Sequence, residues 1–411
     1  MTAELYLDYQ STTPCDPAVV QAMLPWFTTE FGNPHSADHA MGRRAWDAVE
    51  AARAEGAALL GADAREVVFT SGATEANNIA IKGAVRHLAA RGDARRRVVT
   101  VATEHKCVLE AVRDLAAEGF EPVVLPVGAD GRLDPETLRA ALAVPTLLVS
   151  IMAANNETGV LHDLAALAPI VRAAGALLHS DVAQAAGKIA LDVRAMDFDL
   201  ASVSAHKLYG PKGVGALYVR RRPRVRLAPL FSGGGQERGV RSGTLPTPLL
   251  VGFGEACRIA RAGRVDEARR TAALRDGLLA RLQAAMPGIV VNGSMAHRLP
   301  ANLNLRLPDV RALDVIARAG GLCVSTGSAC SSAELVPSYV LTAMGLDADA
   351  AARSLRLAVG RYTSAADMDR AAAILCRAVE DVRAAGRERA AQSTDDGSTQ
   401  DDTARIAECR T

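Results

Sequence analysis

The sequence predicts an α/β protein, in which a large domain with a mainly parallel seven-stranded sheet between helices is joined to a smaller α+β domain. Three observations lead there. At 411 residues, 49% hydrophobic and 23% charged, the chain is too long for one small core and too apolar to be disordered over its bulk. From 64 to 220, short apolar runs alternate with helix-period segments, as when strands buried on both faces are linked by helical crossovers. After Pro246 the alternation slows into long helical stretches with few strand candidates.

In chain order, residues 1–15 read as an N-terminal arm and 16–63 as a helical segment shared with the smaller domain. The large domain, 64–255, takes its seven strands from Val67–Thr70, Val98–Val101, Val123–Leu125, Leu147–Met152, Ala176–His179, Leu200–Val203 and Gly215–Val219. Amphipathic runs at Lys106–Ala117, Pro135–Leu142 and Leu164–Ala174 supply covering helices. Right-handed crossovers then bring most strand C-termini to one edge, where a site belongs. Two helices, Thr247–Ala262 and Val265–Ala285, lead into the smaller domain, 256–385. Its strands are Asn302–Leu307, Leu322–Val324 and Leu355–Val359, and its last helix starts near Ala365 and fades by Ala385. Residues 386–411 are polar, lack aromatics, and are expected to form a disordered tail.

A formal net charge of +1 removes polybasic attraction to nucleic acid or an anionic membrane as a driving force. The densest basic run, Arg220-Arg221-Arg222-Pro223-Arg224-Val225-Arg226, reads as a solvated face or a surface for an acidic protein, with no direct nucleic-acid contact. The start of the chain lacks a basic segment followed by an apolar one, and no run of ~18 apolar residues is present, so a cytoplasmic protein without a membrane partner is expected. Seven dispersed cysteines without a CxxC pair argue for a reducing compartment and against disulfides or structural zinc. His35 and His39 have a chelating spacing but follow Pro34, which weakens a helical pair, and no permanent metal site is expected.

The strand exits carry the chemistry. Val67–Thr70 leaves into Ser71-Gly72-Ala73-Thr74-Glu75, a glycine turn whose Ser and Thr open a helix and present backbone N–H groups to an anion. Ala176–His179 leaves into Ser180-Asp181, an acid that is costly at a buried strand end unless a cation pairs with it. Leu200–Val203 leaves into Ser204-Ala205-His206-Lys207. Lysine is scarce here, with only Lys82, Lys106, Lys188, Lys207 and Lys212 among 47 basic residues. Desolvated at a strand exit, Lys207 can shed its proton and form a Schiff base. Amine, anion and phosphate cradle together are what pyridoxal 5'-phosphate demands. His105, after Val98–Val101, can stack on such a ring and move protons. Cys330 lies at the centre of Ser325–Ala333, a run of small residues that reads as a mobile loop offering an available thiol. Cys107, Cys257, Cys323 and Cys376 sit in apolar contexts and read as small buried hydrophobes, while Cys15 and Cys409 receive no role.

These motifs resemble those of the class I cysteine desulfurases, the NifS/IscS-like group of fold-type I pyridoxal-phosphate transferases. The resemblance runs from Tyr6-Leu7-Asp8 to about Arg361-Tyr362-Thr363. Its markers include Thr70–Glu75, Thr103–Lys106, Asn155-Asn156-Glu157-Thr158-Gly159, Ser204–Lys207, Gln236–Gly239, Arg241–Thr244 and Gly327-Ser328-Ala329-Cys330. It implies that Lys207 holds the cofactor, that Asp181 pairs with the ring nitrogen and that Gln184 pairs with the ring oxygen. The backbone of Ala73, with Thr74, Ser204 and His206, would bind the phosphate, and Thr244 would reach the phosphate of the neighbouring subunit in a homodimer. His105 would be the stacking acid–base catalyst, and Asn156 and Arg356 would hold the substrate carboxylate.

By the same resemblance, sulfur leaves L-cysteine for Cys330 as a persulfide, giving L-alanine. The persulfide then serves an iron–sulfur scaffold protein or another acceptor, including tRNA thiolation, with a transient metal contact at Cys330 when a cluster is shared. A selenocysteine lyase or another fold-type I lyase is the alternative. A non-catalytic relative is disfavoured because Lys207 and Cys330 are both present. Two departures stand out. Ala205 replaces the usual glycine before His-Lys, and the segment 401–411 lacks the aromatic that helps housekeeping members dock a scaffold.

Overall fold

The computed structural model describes residues 4–327 and 337–407. In chain order the elements begin with β1 (Leu5–Tyr6), α1 (Pro17–Met23), α2 (Pro25–Thr28), α3 (Ala40–Leu60), β2 (Val67–Thr70), α4 (Ala73–Ala90) and β3 (Arg97–Val101). Next come α5 (Lys106–Asp114), β4 (Glu121–Leu125), α6 (Pro135–Ala141), β5 (Thr146–Ser150), α7 (Leu164–Ala173), β6 (Leu177–Asp181), β7 (Leu200–Ser204) and β8 (Gly215–Val219). The rest are α8 (Thr247–Ala285), β9 (Val290–Val291), β10 (Asn302–Arg306), α9 (Ala312–Arg318), β11 (Leu322–Cys323), α10 (Tyr339–Ala343), α11 (Ala348–Ala352), β12 (Ser354–Ala358) and α12 (Ala365–Ala407).

Seven strands form one sheet in the order β2-β8-β7-β6-β5-β3-β4. Only β8 runs against its neighbours, pairing antiparallel with both β2 and β7. The apolar strands are explained by burial on both faces. Val98, Leu148 and Leu200 enter the core under α4 and α5, whereas the adjacent Val99, Val149 and Ala201 enter the core under α3, α7 and the first half of α8. The two-residue strand period sends neighbours to opposite faces. The parallel order also collects the ends of β5, β6 and β7 on one edge.

A smaller antiparallel sheet, β12-β10-β9, packs against the second half of α8 and against α12. The arm joins it: β1 pairs parallel with β11, through Leu5 with Leu322 and Tyr6 with Cys323, and Asp8 bridges to Ala358. The arm then crosses to the large sheet, where the Thr13 N–H donates to the His206 carbonyl at 3.0 Å.

Three expectations change. The two helices expected at 247–262 and 265–285 are one 39-residue helix. A single Gly263 costs only ~1 kcal/mol against a run of alanine, arginine and glutamate that favours helix, so the break never forms. The expected boundary at 255/256 falls inside that helix, whose two halves serve different cores. The last helix does not fade at Ala385 into a disordered tail but continues to Ala407, beginning with Arg387-Glu388-Arg389-Ala390-Ala391, all good helix formers. Strand edges also shift by a residue or two, and Asp181 ends β6 rather than following it.

Candidate active site

The anion cradle comes first. β2 ends at Thr70 and α4 opens at Ala73, with Gly72 as its N-cap at φ 150° and no side chain capping the first turn. The leading N–H groups of an 18-residue helix are thus left for a ligand, with its dipole behind them. β8 lies close alongside at Gly215. A Cβ there would fall 2.4 Å from the Val203 carbonyl oxygen and 2.7 Å from the Gly72 Cα, so only glycine permits the approach. Glu75 is kept off the cradle, accepting from the Ser71 N–H at 2.7 Å and from Arg241 Nε at 2.8 Å.

Lys207 follows β7 in a 3-10 turn, Ala205–Lys207. Ala205 adopts no positive φ there, so the alanine in place of glycine is accommodated. Lys207 Nζ donates to two carbonyl oxygens of the arm, Gln10 at 2.7 Å and Ser11 at 2.6 Å. His206 Nδ1 sits 3.0 Å from Thr12 Oγ1. Burial, with Lys207 and Lys212 nearby, pulls this imidazole down to about 4, so it is neutral at pH 7.

Opposite the lysine, Asp181 is buried and oriented from two sides. Its Oδ2 accepts from Asn77 Nδ2 at 2.8 Å, and its Oδ1 accepts from the Ala183 N–H at 2.9 Å. Gln184 Nε2 donates to the Gln10 carbonyl at 2.9 Å. His105 caps α5, its Nδ1 accepting from the Cys107 N–H at 3.2 Å and lying 3.0 Å from Cys107 Sγ. An accepting Nδ1 leaves the proton of the neutral ring on Nε2. Burial lowers the proton affinity of this imidazole, with Lys207 and Lys106 adding to the effect and Asp181 opposing it. Beneath it Glu104 is fully buried, and burial together with Asp181 holds its carboxyl well above the usual range.

At the far wall Arg356 is 1% exposed. It donates to Asp8 Oδ1 at 2.7 Å, Ser11 Oγ at 2.6 Å and the Asn156 carbonyl at 2.9 Å. Its Nε and the Asn156 Oδ1 are buried without a partner among the described residues, which leaves polar capacity for a ligand.

Apart from Thr244, every cofactor- or substrate-binding residue expected from sequence lines one cavity of about 420 Å³. Thr244 is exposed, outside that cavity, before α8. Cys330 lies outside the described residues. Cys107 is not the buried hydrophobe expected: it lines the cavity, and burial with Asp181 nearby pushes its thiol up to about 12. Cys323 and Cys376 are likewise only part-buried, whereas Cys257 is fully buried. Sequence reasoning missed Gln10, Ser11, Asp8 and Asn77. The carbonyls of Gln10 and Ser11 carry no side-chain signal, but Asp8 stands in the Tyr6-Leu7-Asp8 marker. The residues present fit pyridoxal phosphate: an uncapped helix start for the phosphate, an oriented carboxylate for the ring nitrogen, and a lysine between them. Among the described residues no cluster of three His, Cys, Asp or Glu side chains can hold a metal ion, and no helix is long and apolar enough to cross a membrane.

The chain is similar to known proteins over most of its length. The family model described as aminotransferase class-V matches residues 5–371. The chain is 51% identical over 383 residues to a protein of an Anaeromyxobacter species named cysteine desulfurase IscS, covering 93% of this chain and 94% of that one. It is 48% identical to a protein of the same name from Rickettsia bellii, covering 92% of each. Among solved structures, a NifS-like protein superposes with a TM-score of 0.84 at 33% identity, over 92% of this chain and 99% of that one.

Proposed function

The chain belongs to the aminotransferase class-V family, and from that premise we propose that it works as a cysteine desulfurase carrying pyridoxal phosphate. The observation that carries this reading is the convergence of the Lys207 amine, the Asp181 carboxylate and the uncapped start of α4 on one cavity. When bound, pyridoxal phosphate supplies a ring that accepts the electron pair left as the substrate's α-proton departs.

The protein's residues do the rest. The N–H groups at Ala73 and Thr74, with Ser204 and the neutral His206, would bind the phosphate. Asp181, fixed by Asn77, would keep a proton on the ring nitrogen, and Gln184 would donate to the ring oxygen. Lys207 would supply the anchoring amine and a proton acceptor, and His105, with its proton on Nε2, would stack on the ring and move protons. Arg356 and Asn156 hold the substrate carboxylate; to do so Arg356 must share its fork between Asp8 and the ligand.

Cys330 takes the sulfur. In balance, L-cysteine and the Cys330 thiol give L-alanine and a Cys330 persulfide: the substrate C–S bond breaks, an S–S bond forms, and the carbon gains the proton. The persulfide passes to an iron–sulfur scaffold or another acceptor. Thr244, exposed and away from its own cavity, is suited to reach a partner's phosphate in a homodimer.

The test uses purified protein supplied with pyridoxal phosphate. A visible cofactor band that disappears in Lys207→Ala, and persulfide formation from cysteine that disappears in Cys330→Ala, are expected. Persulfide turnover that survives Cys330→Ala overturns the assignment of that thiol, and an unchanged band in Lys207→Ala overturns the cofactor reading.

A further inference from the structure

We propose that Lys188 is a positioning residue of the cofactor site, holding the Gln184 carboxamide so that its NH2 group faces the cavity, and strengthening that group as a donor to the cofactor's ring oxygen. The inference rests on the cofactor reading above and concerns a residue to which that reading gives no part.

The chain leaving β6 makes it possible. A tight turn, in which the Ala185 and Ala186 N–H groups both donate to the Val182 carbonyl, folds 182–188 back on itself. Lys188, four residues after Gln184, returns to place Nζ 2.9 Å from Gln184 Oε1. At its other end Gln184 Nε2 donates to the Gln10 carbonyl at 2.9 Å. A main-chain carbonyl can only accept, which turns Nε2 toward Gln10 and Oε1 toward Lys188 Nζ, a group with hydrogens to donate whether or not it is protonated, so the buried amide has one orientation. One amide hydrogen is used by Gln10, and the second is left on the wall that Gln184 contributes to the cavity. The same Gln10 oxygen also accepts from Lys207 Nζ at 2.7 Å, so the arm and both lysines share one network.

Lys188 approaches from behind. It borders a separate small cavity with Tyr9, Tyr209, Arg264 and Glu267, while Lys207 and Arg356 lie toward the site. Burial, then the charge of Lys207, pulls its amine down to about 7, with Glu267 opposing. In the protonated form, which dominates below about pH 7, the charge-assisted bond to Oε1 withdraws density from the amide and makes its remaining N–H a stronger donor. A stronger donor on the ring oxygen drains negative charge there and lowers the proton affinity of the adjacent Lys207 nitrogen when the cofactor is bound.

The pH midpoint of the holoenzyme's cofactor band reads this directly. Lys188→Met is expected to raise it by about half a unit, roughly threefold in proton affinity. Lys188→Arg, which keeps charge and donor, is expected to stay near the wild type. In a Gln184→Leu background Lys188→Met is expected to add nothing, because the effect passes through the amide. A midpoint unmoved by Lys188→Met, or moved as far without Gln184, overturns the proposal; the second outcome makes Lys188 a bare distant charge. Should Lys188→Met not fold, Lys188→Gln decides, since a neutral donor polarises less and an unchanged midpoint overturns the idea. A wild-type protein that shows no cofactor band at all defeats the functional reading instead, so the two failures are distinguishable.

Discussion

Replacing Arg53 with methionine is expected to destabilise the protein by about 3–5 kcal/mol, the usual cost of stranding one member of a buried ion pair. Arg53 projects from α3 with its side chain 3% exposed and meets Glu237, 1% exposed, through two bonds of 2.7 and 2.8 Å. The guanidinium also donates to the Val67 carbonyl at 3.1 Å and lies 4.4 Å over the Phe69 ring, while Glu237 accepts from the Phe69 N–H at 2.7 Å. The pair therefore ties α3 and the turn at Glu237–Gly239 to the strand that runs into the anion cradle. Methionine fills much of the volume but leaves the carboxylate with the Phe69 N–H as its donor and the nearby charge of Arg238, which bonds to the Val67 carbonyl instead. At roughly 2–4 °C per kcal/mol for a domain of this size, thermal melting should drop by on the order of 10 °C, and the urea midpoint should fall with it. Adding Glu237→Gln removes the stranded charge and should recover most of the loss. A drop of less than about 1 kcal/mol in the single variant would refute the reasoning, since water must then reach Glu237.

Three further outcomes are expected. His179 is fully buried between Ser150 Oγ at 2.8 Å and Ser202 Oγ at 3.0 Å, and burial pulls its imidazole down to about 3. The unfolded chain takes that proton first, so its contribution is fully present above about pH 6.5 and is lost as pH falls toward 3, at ~1.4 kcal/mol per unit; His179→Gln should flatten the urea midpoint against pH over that window. Arg356→Lys, which replaces a planar fork with a point charge, should raise KM for cysteine about tenfold or more, and an unchanged KM in steady-state kinetics would count against the carboxylate role. Asn77→Leu removes the 2.8 Å donor that orients Asp181 and should loosen the cofactor about tenfold, measured by its release on dialysis.

The legible parts of this protein were those written in side chains close together in sequence. Five lysines and a strand exit were enough to single out Lys207, and Asp181 stood out because an acid at the end of an apolar strand needs a reason. What stayed hidden was long-range or made of backbone. The acceptors of Lys207 are carbonyls of Gln10 and Ser11, which any residue would present. Arg356 meets Asp8 across 348 positions, a pairing that only the crossing of the arm explains. Asn77 reads as one more polar residue in an amphipathic helix until the turn at Gly72 aims it at Asp181. The helix boundary near 263 failed differently, because local breaking by one glycine was outweighed by two cores gripping opposite halves of α8.

The arm has a consequence for how the protein is made. Residues 5–11 leave the ribosome long before their partners, since β1 pairs with Leu322 and Cys323 and the side chain that clasps Asp8 and Ser11 is Arg356. At ~5–20 residues per second, that partner follows after an interval on the order of 20–70 seconds. The seven-stranded sheet, complete by Val219, can assemble well before then. Lys207 is thus made early while the segment that supplies its acceptors waits for its strand partners, and the pocket is complete only once Arg356 has followed. A bulky insertion beside residues 5–11 would therefore burden a segment that has to dock onto the smaller sheet, Arg356 and Lys207 after they are made.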